Sequence, residues 1–434
     1  MAKVFRPYDP EQQLLLPPSL DDWLPEEHPA RFVSELLDRL DLTAITAPYE
    51  REERGYPPYH PLMMTKLILY GYVAGVYSSR RMAKALETDV AFRYLAAQNR
   101  PDHRTIGVFR NTHRLALAGL FEQVLDACAK LKLVRLGIVA IDGTRIKANA
   151  SKHKAMSAKR MKEKRDELSR QIEEWLDRSD REDDEDDKRF GATRRGDEMP
   201  EHLASKKKRL EKIEEALREL QREAEQEARE AGESPTEATV PDKAQKNFTD
   251  PESKILKTAD GFLQGYNGQV AVDSEHQIIV AYDLVAHGND QLNLAPMVDR
   301  VIETMGQAPT HTLADNGYFS EAGIWHARAR GTEPLIATGR TPHGEQPIAA
   351  RGRIPSHLTV KQLMRRKLST VRGHALYALR KVIVEPVFGQ MKAARGFRQF
   401  LMRGLAAAKP EWALVCTAHN ILKLWRANRS LAFA

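Results

Sequence analysis

Cysteine is scarce in this sequence: Cys128 and Cys416 are the only two among 434 residues, and neither belongs to a CxxC pair. This shortage argues against a structural zinc site and fits a reducing cytoplasmic compartment. Long apolar runs are also missing. The longest, residues 67–77, is too short to span a bilayer and predicts a buried helix. Because residues 1–7 lack the apolar stretch of a signal peptide, we expect no membrane association.

Acidic residues are nearly absent from the last part of the chain. Residues 351–434 contain 17 Lys and Arg against two acids, a net charge of +15, whereas the whole chain carries +7. Such segregation suits a nucleic-acid backbone, because neutralising phosphates releases counterions. The alternative is the solvated surface of an ordinary basic protein. One of the two acids, Glu385, is therefore a candidate functional residue.

The length predicts two or three folded units, of which the first, residues 1–131, is expected to be helical. Asp102 is a suitable N-cap for one of its helices. Short helices with basic residues between apolar ones are typical of a helix-turn-helix unit, so we expect this N-terminal domain to contact DNA. The basic residues, which we expect to be exposed, are Arg80, Arg81, Lys84, Arg100, Arg104 and Arg110. The alternative is a helical bundle that only supports the rest.

After residue 131 the apolar period changes to that of strands. Residues 133–142 and 144–150 predict two strands or one long bent strand. Further strands are predicted at 262–273, 277–286, 311–314 and 334–338, and helices at 290–305 and 320–330. Strands in hairpin order, followed by strands that alternate with helices, indicate a mixed α/β sheet and an α+β chain overall.

A charged segment, residues 151–246, interrupts this sheet. Apolar residues at three-four spacing predict two antiparallel helices packed together. They are Met161, Leu168, Ile172 and Trp175 on one side, and Leu210, Ile213, Leu217, Leu220 and Ala224 on the other. Between them, residues 181–189 hold six acids and are expected to form a mobile tip. The pattern leaves open whether these arms contact DNA or a second copy of the chain.

Three acidic residues stand in settings that suit metal-assisted phosphodiester chemistry. Asp142 and Asp315 each follow a short apolar run, the pattern of a buried strand that delivers a side chain to the sheet edge. Glu385 opens an amphipathic segment with Lys392 on the same face. Oxygen ligands suit Mg²⁺ or Mn²⁺, and two such ions about 4 Å apart can clamp both oxygens of a phosphoryl transfer. The alternative for each aspartate is a turn residue.

Several motifs occur in a fixed order along nearly the whole chain, at residues 8–20, 55–61, 141–150, 249–253, 265–273, 314–320 and 384–392. Together they resemble those of bacterial insertion-sequence transposases of the DDE class, the group with an RNase H-like catalytic domain. Each motif alone is a weak signal, but their order and the acids in them are specific. The resemblance implies an RNase H-like sheet with flanking helices in residues 132–434, interrupted by the helical insertion at 151–246.

The resemblance also implies roles for single residues. Asp142, Asp315 and Glu385 would be the catalytic triad and would hold two Mg²⁺ ions, for which Mn²⁺ substitutes. Lys392 matches the family's terminal lysine, which contacts transposon-end DNA. We expect Asp273, Asp290 and Asp299 to be helix caps, turn residues or supporting groups.

A tyrosine and an arginine precede the glutamate in the family pattern, and both are candidates for DNA contact here. Tyr377 and Arg380 keep the mutual spacing, but Lys381 occupies the position that the family gives to the arginine. A lysine keeps the charge without the two-pronged phosphate contact of a guanidinium. Because Pro386 disfavours a helical residue before it, we expect Glu385 at or just before a helix N-terminus.

The implied activity is metal-dependent cleavage at transposon ends, which frees a 3′-OH that then attacks a second DNA strand. The implied partners are double-stranded DNA, as terminal inverted repeats and as target, and a second copy of the chain in a homodimeric DNA complex. We expect a cytoplasmic protein associated with the bacterial nucleoid. The alternatives are an RNase H-like nuclease without strand transfer and a non-catalytic DNA-binding relic of a transposase.

Overall fold

The computed structural model describes residues 19–51, 57–151, 154–190, 201–231, 234–258, 261–339, 351–355 and 357–432. The side chains of residues 175–190, 201–204, 227, 230, 231, 237 and 428–432 lie outside this description. Most of the motif at residues 8–20, and residues 55–56 of the next motif, also lie outside it.

The described part of residues 1–131 is helical, as predicted. Its helices are α1 (Leu20–Trp23), α2 (Pro29–Leu37), α3 (Thr43–Glu50), α4 (Pro61–Ala74), α5 (Ser79–Thr88), α6 (Val90–Leu95), α7 (His103–Thr112) and α8 (Arg114–Lys130). Asp102 caps α7 as predicted, because its side chain accepts a hydrogen bond from the Thr105 N–H at 2.7 Å. The apolar run predicted as a buried helix is α4, and most of its side chains are buried.

A mixed sheet forms the centre of the rest of the chain. Its strands are β1 (Ile138–Lys147), β4 (Lys254–Thr258), β5 (Gly261–Asp273), β6 (Ile279–Val285), β7 (His311–Ala314) and β8 (Glu333–Ile336). A separate two-stranded sheet consists of β2 (Ala155–Ser157) and β3 (Gln245–Asn247). Residues 133–150 therefore contribute one long strand, β1, to the main sheet rather than two.

Strand β1 is central and has a different kind of neighbour on each side. On one side it pairs antiparallel with β5, which in turn pairs antiparallel with β4 and β6. On the other side it pairs parallel with β7, which pairs parallel with β8. Helices α11 (Leu294–Met305) and α12 (Glu321–Ala329) connect the strands from β6 to β8. The predicted change from hairpin order to alternation with helices is thus confirmed.

The insertion consists of two long helices, α9 (Ala158–Phe190) and α10 (Glu201–Ala231), which pack together. Met161 and Leu168 of α9 share a buried cluster with Ile213 and Leu220 of α10, as predicted from their spacing. Antiparallel pairing of β2 with β3 joins the two ends of the insertion. The backbone of the acidic run, residues 181–189, continues α9, so the prediction of a separate tip there is wrong.

The last part of the chain contains α13 (Val360–Leu368), α14 (Val371–Gly389), a π-helical turn (Gln390–Ala394) and α15 (Leu405–Ala432). Helix α15 contacts α4 and α8 as well as β6, and one buried apolar cluster extends from α2 to α15. Glu411, the second acid of the basic segment, is fully buried and accepts hydrogen bonds from the Leu401 and Met402 N–H groups. Within the described ranges, no helix is both long and apolar enough to cross a membrane.

Candidate active site

Asp142 and Asp315 are brought together where the parallel pairing of β1 and β7 stops. The last paired residues are Ala140 and Leu313, and the same register continued by two residues sets Asp142 opposite Asp315. Asp315 directly follows β7, as predicted. Asp142 lies inside β1, where it pairs with Val270, which agrees with the predicted alternative of one long strand and not with that of two.

The glycine after Asp142 reflects a lack of space and not a turn. A Cβ atom at Gly143 would lie 2.5 Å from Gln269 Nε2 and 3.2 Å from Asp290 Oδ1, so any larger residue here would require these side chains to shift. A turn does follow the second aspartate. Asp315 caps a short 3₁₀ turn, and its Oδ1 accepts a hydrogen bond from the Gly317 N–H at 2.8 Å.

The Asp142 carboxylate lies in a strongly perturbed electrostatic environment. Its side chain is only 17% exposed, and its Oδ1 accepts a hydrogen bond from the Gly143 N–H at 2.8 Å. Burial, followed by the charge of the neighbouring Asp315, raises the pKa of Asp142 to about 6. Two carboxylates so placed repel each other, and a cation between them would relieve that repulsion.

Glu385 lies in the interior of α14, so the prediction of a position at a helix N-terminus is wrong. Pro386 does remove one helical hydrogen bond, the one that an N–H at position 386 would donate to the Val382 carbonyl. Gln277 Nε2 donates to that carbonyl at 2.8 Å instead. The helix continues past the proline, and a side chain from another part of the fold supplies the donor that the carbonyl lacks.

Arg380 is the residue that joins the acids. Its Nη1 donates to Asp142 Oδ2 at 3.0 Å, and its Nη2 lies 3.7 Å from Glu385 Oε1. The side chain of Arg380 is 13% exposed and that of Glu385 is 55% exposed. Tyr377 interacts with Arg380, whereas Lys381 is exposed. Of the two basic residues that sequence left as alternatives, Arg380 is the one that lies among the acids.

Lys392 stands in the π-helical turn and is not on a regular continuation of α14. Its Nζ donates to the Arg145 carbonyl of β1 at 2.9 Å, and burial lowers the pKa of its ammonium group. In this arrangement Lys392 ties the end of α14 to the strand that carries Asp142.

The basic residues of the N-terminal part fall into two groups. Arg80, Arg81 and Arg104 are exposed on α5 and α7, in the surface positions predicted for DNA contact. Arg110 is buried and its Nη1 donates to the Tyr77 carbonyl at 2.8 Å, so the expectation of an exposed Arg110 is wrong. A helical spacing alone could not distinguish it, since α7 buries one face against its neighbours.

The structure thus collects carboxylate oxygens and a guanidinium at one end of the β1–β7 pair. Among the residues that the structure describes, no three acidic, His or Cys side chains are arranged as a closed metal site. Arg380 pairs with both Asp142 and Glu385, so its guanidinium lies beside these two carboxylates. The donor set consists of hard oxygen ligands with an excess of negative charge, which suits a divalent cation such as Mg²⁺.

Sequence reasoning gave the three minor aspartates supporting roles, and for two of them the contacts agree. Asp273 accepts hydrogen bonds from the Leu136 and Glu275 N–H groups, and Asp299 pairs with Arg330. Asp290 begins a 3₁₀ turn, which also agrees with the expectation, but it differs from the other two in lying beside the candidate site. The motif at residues 265–273 supplies its partners, but the sequence gave that motif no role.

Two segments of the chain match known protein-family models. Residues 18–112 match a transposase domain (DUF772), and residues 353–425 match a transposase DDE domain. The first segment covers the helices from α1 to α7, and the second contains Arg380 and Glu385. No curated protein and no solved structure matches the chain.

Both matches describe transposase domains, which supports a DNA transposase function for the chain. More particularly, the DDE match confirms the prediction of an insertion-sequence transposase of the DDE class. Transposases of this class generally use divalent metal ions.

Proposed function

We propose that the chain cleaves phosphodiester bonds at the ends of its transposon and joins the freed 3′-OH to target DNA. Asp142, Asp315 and Glu385 would be the catalytic residues and would hold two Mg²⁺ ions, with Mn²⁺ as a substitute. The observation that carries this proposal is that Arg380 pairs with Asp142 and Glu385 while Asp315 lies beside Asp142, although 173 and 70 residues separate the three acids along the chain.

The bound ions would supply Lewis-acid activation of a water molecule and neutralise charge on the phosphate. The protein's own contribution is to hold the carboxylates in place and to orient the DNA. Asp142 is held by the strand residues before and after it in β1 and by pairing with Val270, and Asp315 is held by the turn that follows it. Arg380 offers a planar guanidinium that can bind a phosphate through two hydrogen bonds once it leaves the acids. No protein nucleophile is required, because positioning and charge neutralisation provide the rate enhancement.

The sheet supports assignment to the RNase H-like folds. Three antiparallel strands, β6, β5 and β1, are followed by the parallel strands β7 and β8, with the acids near the middle of the sheet. We assign residues 132–434 to this catalytic domain, with residues 151–246 as its helical insertion and residues 1–131 as the N-terminal domain. The shared apolar core makes the two domains one packed unit in this structure.

Double-stranded DNA is the proposed substrate, as terminal inverted repeats and as target. Arg80, Arg81 and Arg104 would contact it from the N-terminal domain, and Lys381 from the exposed face of α14. Tyr377, Arg380 and Lys392 would contact the strand that is cleaved. A homodimer in the DNA complex would place one active site at each transposon end.

Asp142→Asn tests the proposed site. The variant is expected to bind end-bearing DNA with unchanged affinity while losing cleavage by at least about 10³-fold, because a carboxamide is a poor ligand for Mg²⁺. Gel assays with labelled element ends and a target plasmid measure both steps. Joined products indicate a transposase, and cleavage without joining indicates a nuclease. Normal Mg²⁺-dependent cleavage by the variant would overturn the site assignment.

A further inference from the structure

Asp290 lies against the two chain segments that carry Asp142 and Asp315. It begins a short 3₁₀ turn between β6 and α11, and this turn contacts the turn that follows Asp315. A Cβ atom at Gly143 would lie 3.2 Å from Asp290 Oδ1, and one at Gly317 would lie 3.5 Å from Asp290 Oδ2. Asp290 therefore fills the space between the glycines that follow the two aspartates.

Buried side chains hold Asp290 in this place. Asn267 Nδ2 and Gln269 Nε2, both on β5, donate to Asp290 Oδ1 at 2.7 Å and 3.1 Å. Gln269 Oε1 accepts a hydrogen bond from the hydroxyl of Tyr318. Asn267, Gln269 and Tyr318 are buried, so water cannot readily replace these partners. A buried network in which each member has a partner favours a single arrangement.

Strand pairing alone does not hold the two aspartates together. The ladder between β1 and β7 ends at Ala140 and Leu313, before either aspartate is reached. Each carboxylate accepts a hydrogen bond from a glycine N–H, Asp142 from Gly143 and Asp315 from Gly317, both at 2.8 Å. A group that lies beside both glycines is therefore well placed to fix how far apart the two carboxylates lie.

We propose that Asp290 is a positioning residue that fixes the separation and orientation of the Asp142 and Asp315 carboxylates. Asn267, Gln269 and Tyr318 extend this support through the sheet. The inference rests on the proposed function, since it concerns the geometry of the same site. It also explains why two motifs separated along the chain, at residues 265–273 and 314–320, meet at the turn that begins with Asp290.

Two substitutions at position 290 separate geometry from charge. Asp290→Asn keeps the oxygen that accepts from Asn267 and Gln269, so its cleavage rate is expected to stay within about threefold of the wild type. Asp290→Ala removes that acceptor and leaves a gap between the two glycines. Because a misplacement of about 1 Å can cost about 10²-fold in rate, we expect a loss of that order. Electron paramagnetic resonance should also show weaker Mn²⁺ binding without DNA.

Tyr318→Phe is a milder test in case the alanine variant folds poorly. It removes only the hydroxyl that orients the Gln269 amide, and we expect a loss of cleavage of about 3–10-fold with folding retained. The matched control is Tyr282→Phe, a change in a tyrosine that packs against Phe121 outside the candidate site, which should leave cleavage unchanged.

The outcomes distinguish this inference from the proposed function. If Asp142→Asn abolishes cleavage while Asp290→Ala cleaves at the wild-type rate, the positioning role is wrong and the site assignment stands. Loss of activity in Asp290→Asn equal to that in Asp290→Ala would also overturn the positioning role, because charge and not geometry would then be required. If Asp142→Asn itself cleaves normally, the proposed function fails first.

Discussion

Gly143→Ala tests whether the site depends on the close approach of other side chains to β1. The new methyl group would lie 2.5 Å from Gln269 Nε2, 2.8 Å from Asn267 Oδ1 and 3.2 Å from Asp290 Oδ1. Gln269 cannot simply rotate away, because its amide bonds Asp290 and accepts from the Tyr318 hydroxyl. Gly143 is also absent from the described residues with positive φ, so the expected effect is steric.

Overpacking of a closely packed site costs about 1–3 kcal/mol, and we expect the free energy of unfolding to fall by that amount. The larger effect is expected on catalysis. The methyl group would push β1 away from Asp290 and move the Asp142 carboxylate by several tenths of an ångström. Cleavage of end-bearing DNA is then expected to fall by about 10²-fold even where the variant is fully folded.

Urea denaturation measures the stability, and a gel assay well below the unfolding midpoint measures the cleavage. Gly137→Ala is the matched control, since it lies just before the same strand and a Cβ atom there meets nothing within 4 Å. It should be neutral or stabilise by a few tenths of a kcal/mol. If Gly143→Ala is as stable and active as Gly137→Ala, the argument from close approach is refuted.

Three further predictions concern the supports of the site. Arg380→Ala should bind Mn²⁺ about tenfold more tightly without DNA, because the competing guanidinium is gone, yet it should cleave DNA more slowly. The control, Lys381→Ala, should leave Mn²⁺ binding unchanged. Equal effects of the two substitutions on Mn²⁺ binding would contradict the reasoning. Gln277→Leu should lower the free energy of unfolding by about 1 kcal/mol in the wild-type chain. The loss should be clearly smaller in a Pro386→Ala background, where a backbone N–H again donates to the Val382 carbonyl. A double-mutant cycle that shows no coupling between the two positions would refute this role of Gln277. Burial lowers the pKa of His419 to about 3, so between that pH and about pH 6.5 the unfolded chain binds this proton and the folded chain does not. In this range the free energy of unfolding should fall by about 1.4 kcal/mol for each unit by which the pH is lowered. Urea unfolding of His419→Gln should show a weaker dependence on pH.

The elements with strong periodicity could be predicted from sequence. The strand at residues 311–314 was predicted with its observed bounds, and β5 nearly so, because apolar runs bounded by polar turns leave few alternatives. The Asp-Gly pair at 142–143 did not decide between a turn and a continuous strand. Both a turn and a close contact call for glycine, and only the positions of Gln269 and Asp290 decide between them.

The choice between Arg380 and Lys381 shows a signal that was available in part. Tyr377, Arg380, Val384 and Val387 recur every three or four residues along α14, and the two valines are fully buried. Arg380 is therefore on the face of α14 that meets the sheet, whereas Lys381, the next residue, is turned away from that face. The family spacing pointed to Lys381, while the helical stripe points to Arg380. The stripe is hard to recognise in the sequence, because Pro386 predicts a break between Val384 and Val387 where α14 is in fact continuous.

Arg380 stabilises the neighbouring carboxylates electrostatically when no cation is bound. Burial and Asp315 raise the pKa of Asp142 to about 6, so an ionised Asp142 at neutral pH is held at an energetic cost. The guanidinium at 3.0 Å offsets part of that cost and also reaches towards Glu385. A divalent cation would bring more charge to the same oxygens and would free Arg380 for the phosphate of an incoming strand. Cation binding and the readiness of Arg380 to contact DNA are therefore coupled, and each should strengthen the other.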